Sequence, residues 1–278
     1  MQVDELLFVE YTCMLDDTKF GIWSDNNYFA FISSGKKMWR TIYNSYEVAE
    51  GDILFVKKGA NLAHQFFEDE FCAVFVFIPD DFIRQFMQRN SALLTAQQKH
   101  TPQQDAVIPV ESDELLQNYY HSIQSWLRLS QKPNQQLWLH KFEELLLSLC
   151  SSKKHAGLTG YFASLCQNQQ HQMATIMEAN FAYNLKLEEY AQLCNMSLST
   201  FKRSFRQQYL VNPAQWLKSK KLQLAAHKLM ATTLSISQIA FECGFEDTSH
   251  FIRVFKEKYS QTPAKYRQQQ SHAVESGE

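Results

Sequence analysis

Arg203 and Arg253 stand fifty residues apart, each on a run that mixes cations with short polar side chains. Ser199, Lys202 and Arg206 surround the first; Thr248, Ser249, His250 and Lys256 surround the second. A guanidinium is a planar fork of donors that grips a phosphate or the O6/N7 edge of guanine, while Lys, Ser, Thr and His make single hydrogen bonds to phosphates and base edges. No GxSxG, HExxH or P-loop motif occurs, and no pair of carboxylates has a spacing beyond chance. The two sets therefore point to recognition of a polyanion. Taken singly, each residue is an ordinary exposed polar side chain, and only their repetition gives them weight.

The elements that must position them are two copies of one unit. CNMSLSTFKRSFRQQYLVNPAQW begins at Cys194 and CGFEDTSHFIRVFKEKYSQTPAKY at Cys243. Leu187, Ala191 and Cys194 match Ile236, Ala240 and Cys243 at an offset of 49. Phe201, Arg203, Phe205, Tyr209, Pro213 and Trp216 match Phe251, Arg253, Phe255, Tyr259, Pro263 and Tyr266 at an offset of 50. Each copy reads as a helix, a short turn and a second helix, the order of a helix-turn-helix whose second helix enters the major groove of DNA. Phenylalanines four apart share one face of that second helix, which leaves the polar set on the other. Between the copies Pro213 opens a helix through AQWLKSKKLQLAAHKLM. At about 1.5 Å per residue such a rod spans about 27 Å, close enough to the roughly 34 Å between successive major grooves for one chain to read two.

Charge agrees with this placement. Residues 1–150 carry 12 Lys and Arg against 20 Asp and Glu, a balance of −8, whereas residues 151–278 carry 15 against 9, a balance of +6; the sum is the chain's −2. Within 199–267 the count is 12 against 4. No apolar run approaches the roughly 18 residues of a membrane span, and the start, MQVDELLFVEYT, is acidic where a signal peptide is basic, so a cytoplasmic protein is expected. Six scattered cysteines with no CxxC or CxxH pair predict reduced core thiols rather than disulfides or zinc.

The acidic half changes period partway. From Tyr28 to Pro79 short β-rich runs (YFAFI, MWRTIY, SYEVA, DILFVKK, AHQFF, CAVFVFI) alternate with turns at Gly35, Gly51 and Gly59, which predicts a sandwich or small barrel. Tyr28, Phe29, Phe31, Trp39 and Tyr43 are candidates to line a ligand pocket, with Lys36, Lys37 or Arg40 to pair an anionic group, although such side chains also simply fill a small barrel. After Pro109 two helices follow, and in the second Trp138, Phe142, Leu145 and Leu149 form one stripe. That stripe packs on the strands or, broadened by Leu146 and Leu147, also meets a second subunit in a homodimer. The polar stretch SSKKHAGLTG (151–160) reads as an interdomain linker. The expected boundaries are a regulatory and dimerisation domain at 1–157, a linker at 158–169 and an all-α domain at 170–278.

With these residues in view, ISQIAFECGF and the VFK, Tyr259 and TPAKYR that follow resemble the signature of the AraC/XylS transcription regulators. EGDILFVKKGANLAHQF is similar to the second half of a cupin-type barrel, and FIPDDFIRQFMQRNSALLT and KFEELLLSL resemble the branch that activates type III secretion genes. The resemblance implies an α+β chain: a cupin-like β-barrel with a two-helix dimerisation tail, then two helix-turn-helix motifs joined by a long helix. It implies an activator that binds double-stranded promoter DNA, works with RNA polymerase, and is controlled by an anti-activator protein or a small-molecule effector. Its base-reading positions fall on Ser199, Lys202 and Arg203, and on Thr248, Ser249, His250 and Arg253. Some relatives clasp a fatty-acid carboxylate with lysines from both domains, and Lys228 lies in the corresponding neighbourhood.

Two other readings compete. A cupin-type metal enzyme with an accessory helical domain needs a ligand cluster, and only His64 stands near the expected turns, so no metal, cofactor or catalytic residue is expected. A single-strand RNA binder needs stacking aromatics that the tandem repeat does not place outward.

Overall fold

The computed structural model describes residues 2–3, 6–13, 19–42, 44–65, 71–90, 105–131, 133–166 and 169–268. Two compact units emerge, Met1–Thr175 and Ile176–Glu278, the first α+β and the second helical.

In the first unit, β1 (Gln2–Val3), β2 (Leu6–Cys13), β3 (Lys19–Ser24), β4 (Asn27–Ser34), β5 (Lys37–Arg40), β6 (Ser45–Val48), β7 (Ile53–Val56), β8 (Gly59–Gln65), β9 (Phe71–Ile78) and β10 (Val107–Val110) form two antiparallel sheets. One has the order β1-β2-β9-β4-β7-β10 and the other β3-β8-β5-β6. Side chains of a strand alternate between faces, so Tyr28, Ala30 and Ile32 of β4 pack with Trp39 and Val48 of the smaller sheet. Phe29 and Phe31 point the other way, into a core shared with helices α1 (Asp80–Arg89), α2 (Glu114–Leu127), α3 (Gln135–Ser151) and α4 (Ala156–Ser164). Burial on both faces is why FAFI, ILFV and VFVFI read as unbroken apolar runs.

Three expectations are corrected here. The closed cupin-like barrel is not formed: among the described residues no strand pairing joins the two sheets. Helices cover one face of the larger sheet, and its edge strand β10 carries an exposed Pro109, which has no N–H to extend the ladder. The stripe Trp138, Phe142, Leu145 and Leu149 is not a surface for a second subunit. All four are 0% exposed, and the Phe8 ring of β2 lies 5.0 Å from Trp138 and 4.2 Å from Phe142. The outward side of α3 carries Leu137 and Leu147 instead.

The third correction concerns the linker. Residues 156–164 are helical, and Leu158, Tyr161, Phe162 and Leu165, at i, i+3, i+4 and i+7, belong to the first unit's core. Lys153 and Lys154 just upstream, and Gly157 and Gly160 within the helix, obscure that stripe. The Tyr161 hydroxyl donates to Asn27 Oδ1 at 2.9 Å, and Asn27 Nδ2 donates to Asp80 Oδ1 at 2.7 Å. Asp80 in turn pairs with Lys58 at 2.5 Å, both side chains buried, so the network satisfies its own polar groups. Residues 167 and 168 of the expected linker, and Tyr43, lie outside the described residues, as does the side chain of His64.

Candidate nucleic-acid interface

The second unit repeats one backbone plan. Helix α5 (Gln169–Asn180), which belongs to this unit from Ile176 on, precedes α6 (Leu187–Leu193) and α7 (Leu198–Tyr209); α8 (Pro213–Ala231) connects to α9 (Ile236–Glu242) and α10 (Thr248–Tyr259), and a last helical segment covers 263–268. Helices α6 and α9 both end in a left-handed residue, Asn195 at φ 53° and Gly244 at φ 76°. Met196 N–H returns to Ala191 O at 2.9 Å and Phe245 N–H to Ala240 O at 3.0 Å, the same six-residue closure in each copy. The next helix then starts on a capping side chain: Ser197 accepts from Thr200 N–H and Asp247 from His250 N–H. Glu246 is the extra residue in the second turn, which is why the repeat offset steps from 49 to 50. Helices α7 and α10 also end alike, at Leu210 (φ 60°) and Ser260 (φ 62°).

Aromatic packing holds each head. Phe205 lies 5.8 Å from Trp216 and 4.4 Å from Tyr209, and Phe255 lies 5.4 Å from Tyr266 and 4.5 Å from Tyr259. Both heads are pinned to α8. On the first side Lys220 pairs with Glu178 at 2.6 Å and Phe181 meets Trp216 edge to face. On the second, Lys221 Nζ donates to Gly244 O at 2.9 Å and Lys258 Nζ to Ser219 O at 3.0 Å. Gly244 must be glycine, since an added Cβ would lie 2.2 Å from Ala182 O.

With Phe201, Phe205, Phe251 and Phe255 fully buried, the opposite faces are presented to solvent. Ser199, Lys202, Arg203 and Arg206 are exposed on α7; Ser249, His250, Arg253 and Lys256 are exposed on α10, and Thr248 is half-buried. The first set shares one face of α7, at i, i+3, i+4 and i+7; in the second Ser249, Arg253 and Lys256 share a face of α10 at i, i+4 and i+7, with Thr248 and His250 flanking it at the start of the helix. A groove of about 730 Å³ runs beside α7, bordered by Lys202, Arg203, Arg206, Gln207 and Asn212. Three neighbouring ion contacts escaped the sequence reading. Arg253 Nη1 lies 3.0 Å from Glu257 Oε1, Lys218 Nζ lies 3.4 Å from Glu257 Oε2, and Lys228 Nζ lies 2.7 Å from Glu242 Oε2. The signal was available, because the repeat aligns Glu257 with a neutral Gln207.

The residues expected around one ligand pocket are not all brought together. Tyr28 and Trp39 are buried between the sheets, where the Lys37 ammonium sits 5.5 Å from the Trp39 ring and 4.8 Å from that of Phe71. Burial pushes the Tyr28 hydroxyl up to about 12, the Trp39 contact opposing it. Phe31 faces the helices on the far side of β4, Lys36 is exposed, and Arg40 is half-buried against Met38. Alternation along β4 forbids one wall from holding both Tyr28 and Phe31. Among the described residues no group of three or more His, Cys, Asp or Glu is placed to hold a metal, and no helix is long and apolar enough to cross a membrane. Burial raises the Cys150 and Cys243 thiols to about 12, so both are packing residues rather than nucleophiles.

Comparison with known proteins follows the same division. Residues 27–161 match the model of the ExsA N-terminal regulatory domain, and residues 190–269 match that of a helix-turn-helix domain. The chain is 24% identical over 233 residues to the virulence regulon transcriptional activator VirF of Yersinia enterocolitica, covering 84% of this chain and 86% of that one. It is 25% identical over 234 residues to the HTH-type transcriptional regulator ExsA of Pseudomonas aeruginosa, covering 84% and 83%. The HTH-type transcriptional activator RhaS of an Enterobacter species is 32% identical over 127 residues, 46% of this chain and 44% of that one.

Proposed function

We propose that the chain, as a transcriptional regulator of the AraC/XylS family, activates promoters by laying α7 and α10 into successive major grooves of double-stranded DNA. The observation that carries this reading is the duplication itself: two like heads pinned to one 19-residue helix, each with its cations turned outward. At about 1.5 Å per residue α8 is about 28 Å long, which suits two grooves about one helical turn apart. Arg203 and Arg253 are the base-reading side chains; Lys202, Arg206 and Lys256 neutralise phosphates, and Ser199, Thr248, Ser249 and His250 complete the contacts. Work at a promoter makes RNA polymerase a partner and the cytoplasm the setting.

Control enters through the first unit. A protein partner, an anti-activator, is the favoured effector, because the relative VirF is named for a virulence regulon and residues 27–161 match a regulatory domain. A small ligand has a candidate seat in a crevice of about 280 Å³ between the Gly51 turn and α2, bordered by Phe31, Ser33, Asp52, Tyr120 and Gln124. Self-association as a homodimer falls to the outward side of α3, where Leu137 and Leu147 are 45% and 44% exposed. Leu147→Asp is then expected to lower self-association in sedimentation without lowering the melting temperature; an unchanged sedimentation profile removes α3 from the interface.

Genome-wide mapping of bound sites followed by footprinting on one of them tests the central reading. Two protected major-groove segments on one face, about 10 base pairs apart, are expected. One segment, or protection that survives simultaneous alanine replacement of Arg203 and Arg253, sinks it.

A further inference from the structure

We propose that Glu257 is a specificity-determining residue, a positioning carboxylate that steers Arg253 and weakens the grip of the second head on DNA of the wrong sequence. The inference rests on the reading that α10 faces DNA. Its ground is a difference between two otherwise matched helices. At the repeat offset of 50, Arg203 matches Arg253, Arg206 matches Lys256, and Gln207 matches Glu257. Among the described residues Lys202, Arg203 and Arg206 have no acidic partner within 4.0 Å. In the second head the Glu257 carboxylate receives Arg253 on one oxygen at 3.0 Å and Lys218 of α8 on the other at 3.4 Å.

Three consequences follow from that geometry. The carboxylate occupies one Nη1 donor of Arg253, and the remaining guanidinium donors keep an edge able to make a two-point contact with a base. Two cations and one anion present a net +1 where the same face without Glu257 would present +2, so attraction to phosphates of any sequence is reduced. An anion beside the groove also repels DNA unless Arg253 finds a base acceptor that compensates, which is discrimination against the wrong partner rather than added affinity for the right one. In free solution the pairs are half-exposed and add little to stability; their effect appears when the helix meets DNA and water is expelled. Lys218, held on the helix common to both heads, keeps the carboxylate beside Arg253 instead of letting it swing toward solvent.

The test uses the full chain and two duplexes: one enriched from a random pool by the full chain itself, and a scrambled duplex of the same composition. Affinities are measured by fluorescence anisotropy over a range of salt concentrations. Glu257→Gln is expected to raise affinity for the scrambled duplex several-fold and that for the selected duplex less, so the ratio of the two falls. The salt slope on the scrambled duplex steepens by up to about one counterion. Arg253→Ala is expected to weaken the selected duplex by about 10-fold or more, and adding Glu257→Gln to it leaves the ratio where Arg253→Ala set it. Gln207→Glu in the first head is expected to lower affinity for the scrambled duplex. If Arg253→Ala matters and Glu257→Gln leaves ratio and slope unchanged, or lowers both affinities equally, the inference is overturned while the reading of α10 stands. If Arg253→Ala changes neither affinity, α10 is not on DNA and both fail.

Discussion

In the first head Lys202, Arg203 and Arg206 project from α7 beside a cation-lined groove, whereas in the second Arg253 shares Glu257 with Lys218 and an Ile252 stands where the repeat has Lys202. The backbones do not differ in this way. Both heads use a left-handed residue after the first helix, a capping side chain before the second, and a left-handed residue again at its end. Both bury two phenylalanines and pack a tyrosine against an aromatic 11 residues after the second phenylalanine. Duplication therefore preserved what positions a reading helix and let its outward face diverge. The more cationic head is suited to affinity and the charge-balanced head to choice of sequence.

The largest effect should come from the shared frame. Phe205→Ala and Phe255→Ala each empty a fully buried site and are expected to cost about 3–5 kcal/mol in their own head. Amide hydrogen exchange reads the heads separately: protection should fall in α7 for the first variant and in α10 for the second. Equal losses in both helices from either change would mean that the heads melt as one body, which would dissolve the comparison. Gly244→Ala comes next. It forces a left-handed alanine against the Ala182 carbonyl, and strain plus overpacking amount to about 2–4 kcal/mol. Asn195→Gly at the matching position, which also has positive φ, is expected to change stability by no more than about 0.5 kcal/mol. A tolerated Gly244→Ala would show that the two turns are interchangeable after all.

How much of this was legible in the sequence differs between the same regions. The heads could be read because each copy carries its own aromatic frame at fixed spacing, so Phe201, Phe205, Phe251 and Phe255 announced which face is buried and left the polar set outside. The family resemblance agreed with that reading. The first unit was read less completely. LLFVEYTC sits in the acidic start and as β2 pairs with β9, and VIPV forms β10, an edge strand that tolerates Pro109; neither stretch is among the runs that the sequence pattern picks out as strands. The α3 stripe was visible, but an apolar helix face does not encode what covers it, and Phe8 from that unread strand turned out to cover it. Ion pairs such as Arg253 with Glu257 need only spacing of i, i+4; Lys218 with Glu257 spans 39 residues and needed the fold.

On DNA the contrast becomes one of kind as well as size. Arg203→Ala is expected to weaken the scrambled duplex nearly as much as the selected one and to flatten the salt slope by about one counterion, since among the described residues its guanidinium has no acidic partner and grips phosphates of any sequence besides the base it reads. Arg253→Ala is expected to cost about 1–3 kcal/mol on the selected duplex and distinctly less on the scrambled one. The reverse pattern, a uniform loss at Arg253 and a selective one at Arg203, would exchange the roles assigned to the heads.

The smallest effect isolates the lysine that ties α8 to the second turn. Lys221 Nζ donates to Gly244 O, and its pKa is lowered from the ordinary 10.5, chiefly because burial strips water from the ammonium, with Cys243 and Glu246 opposing. The folded chain therefore releases this proton sooner than the unfolded one. Below the lowered value both states hold the proton and the burial penalty is constant. Between that value and 10.5 the unfolded chain binds more protons, so stability rises with pH across this window, and above 10.5 the penalty is gone. Lys221→Met removes the titrating group along with its hydrogen bond. Melting temperatures of the two chains, followed from pH 8 to about 10.5, should show wild type gaining on the variant as pH rises, by less than the loss of a helix cap, about 1 kcal/mol. A constant difference between the curves would mean that Lys221 keeps its water in the folded chain. The second turn would then be held by the steric fit of Gly244 alone.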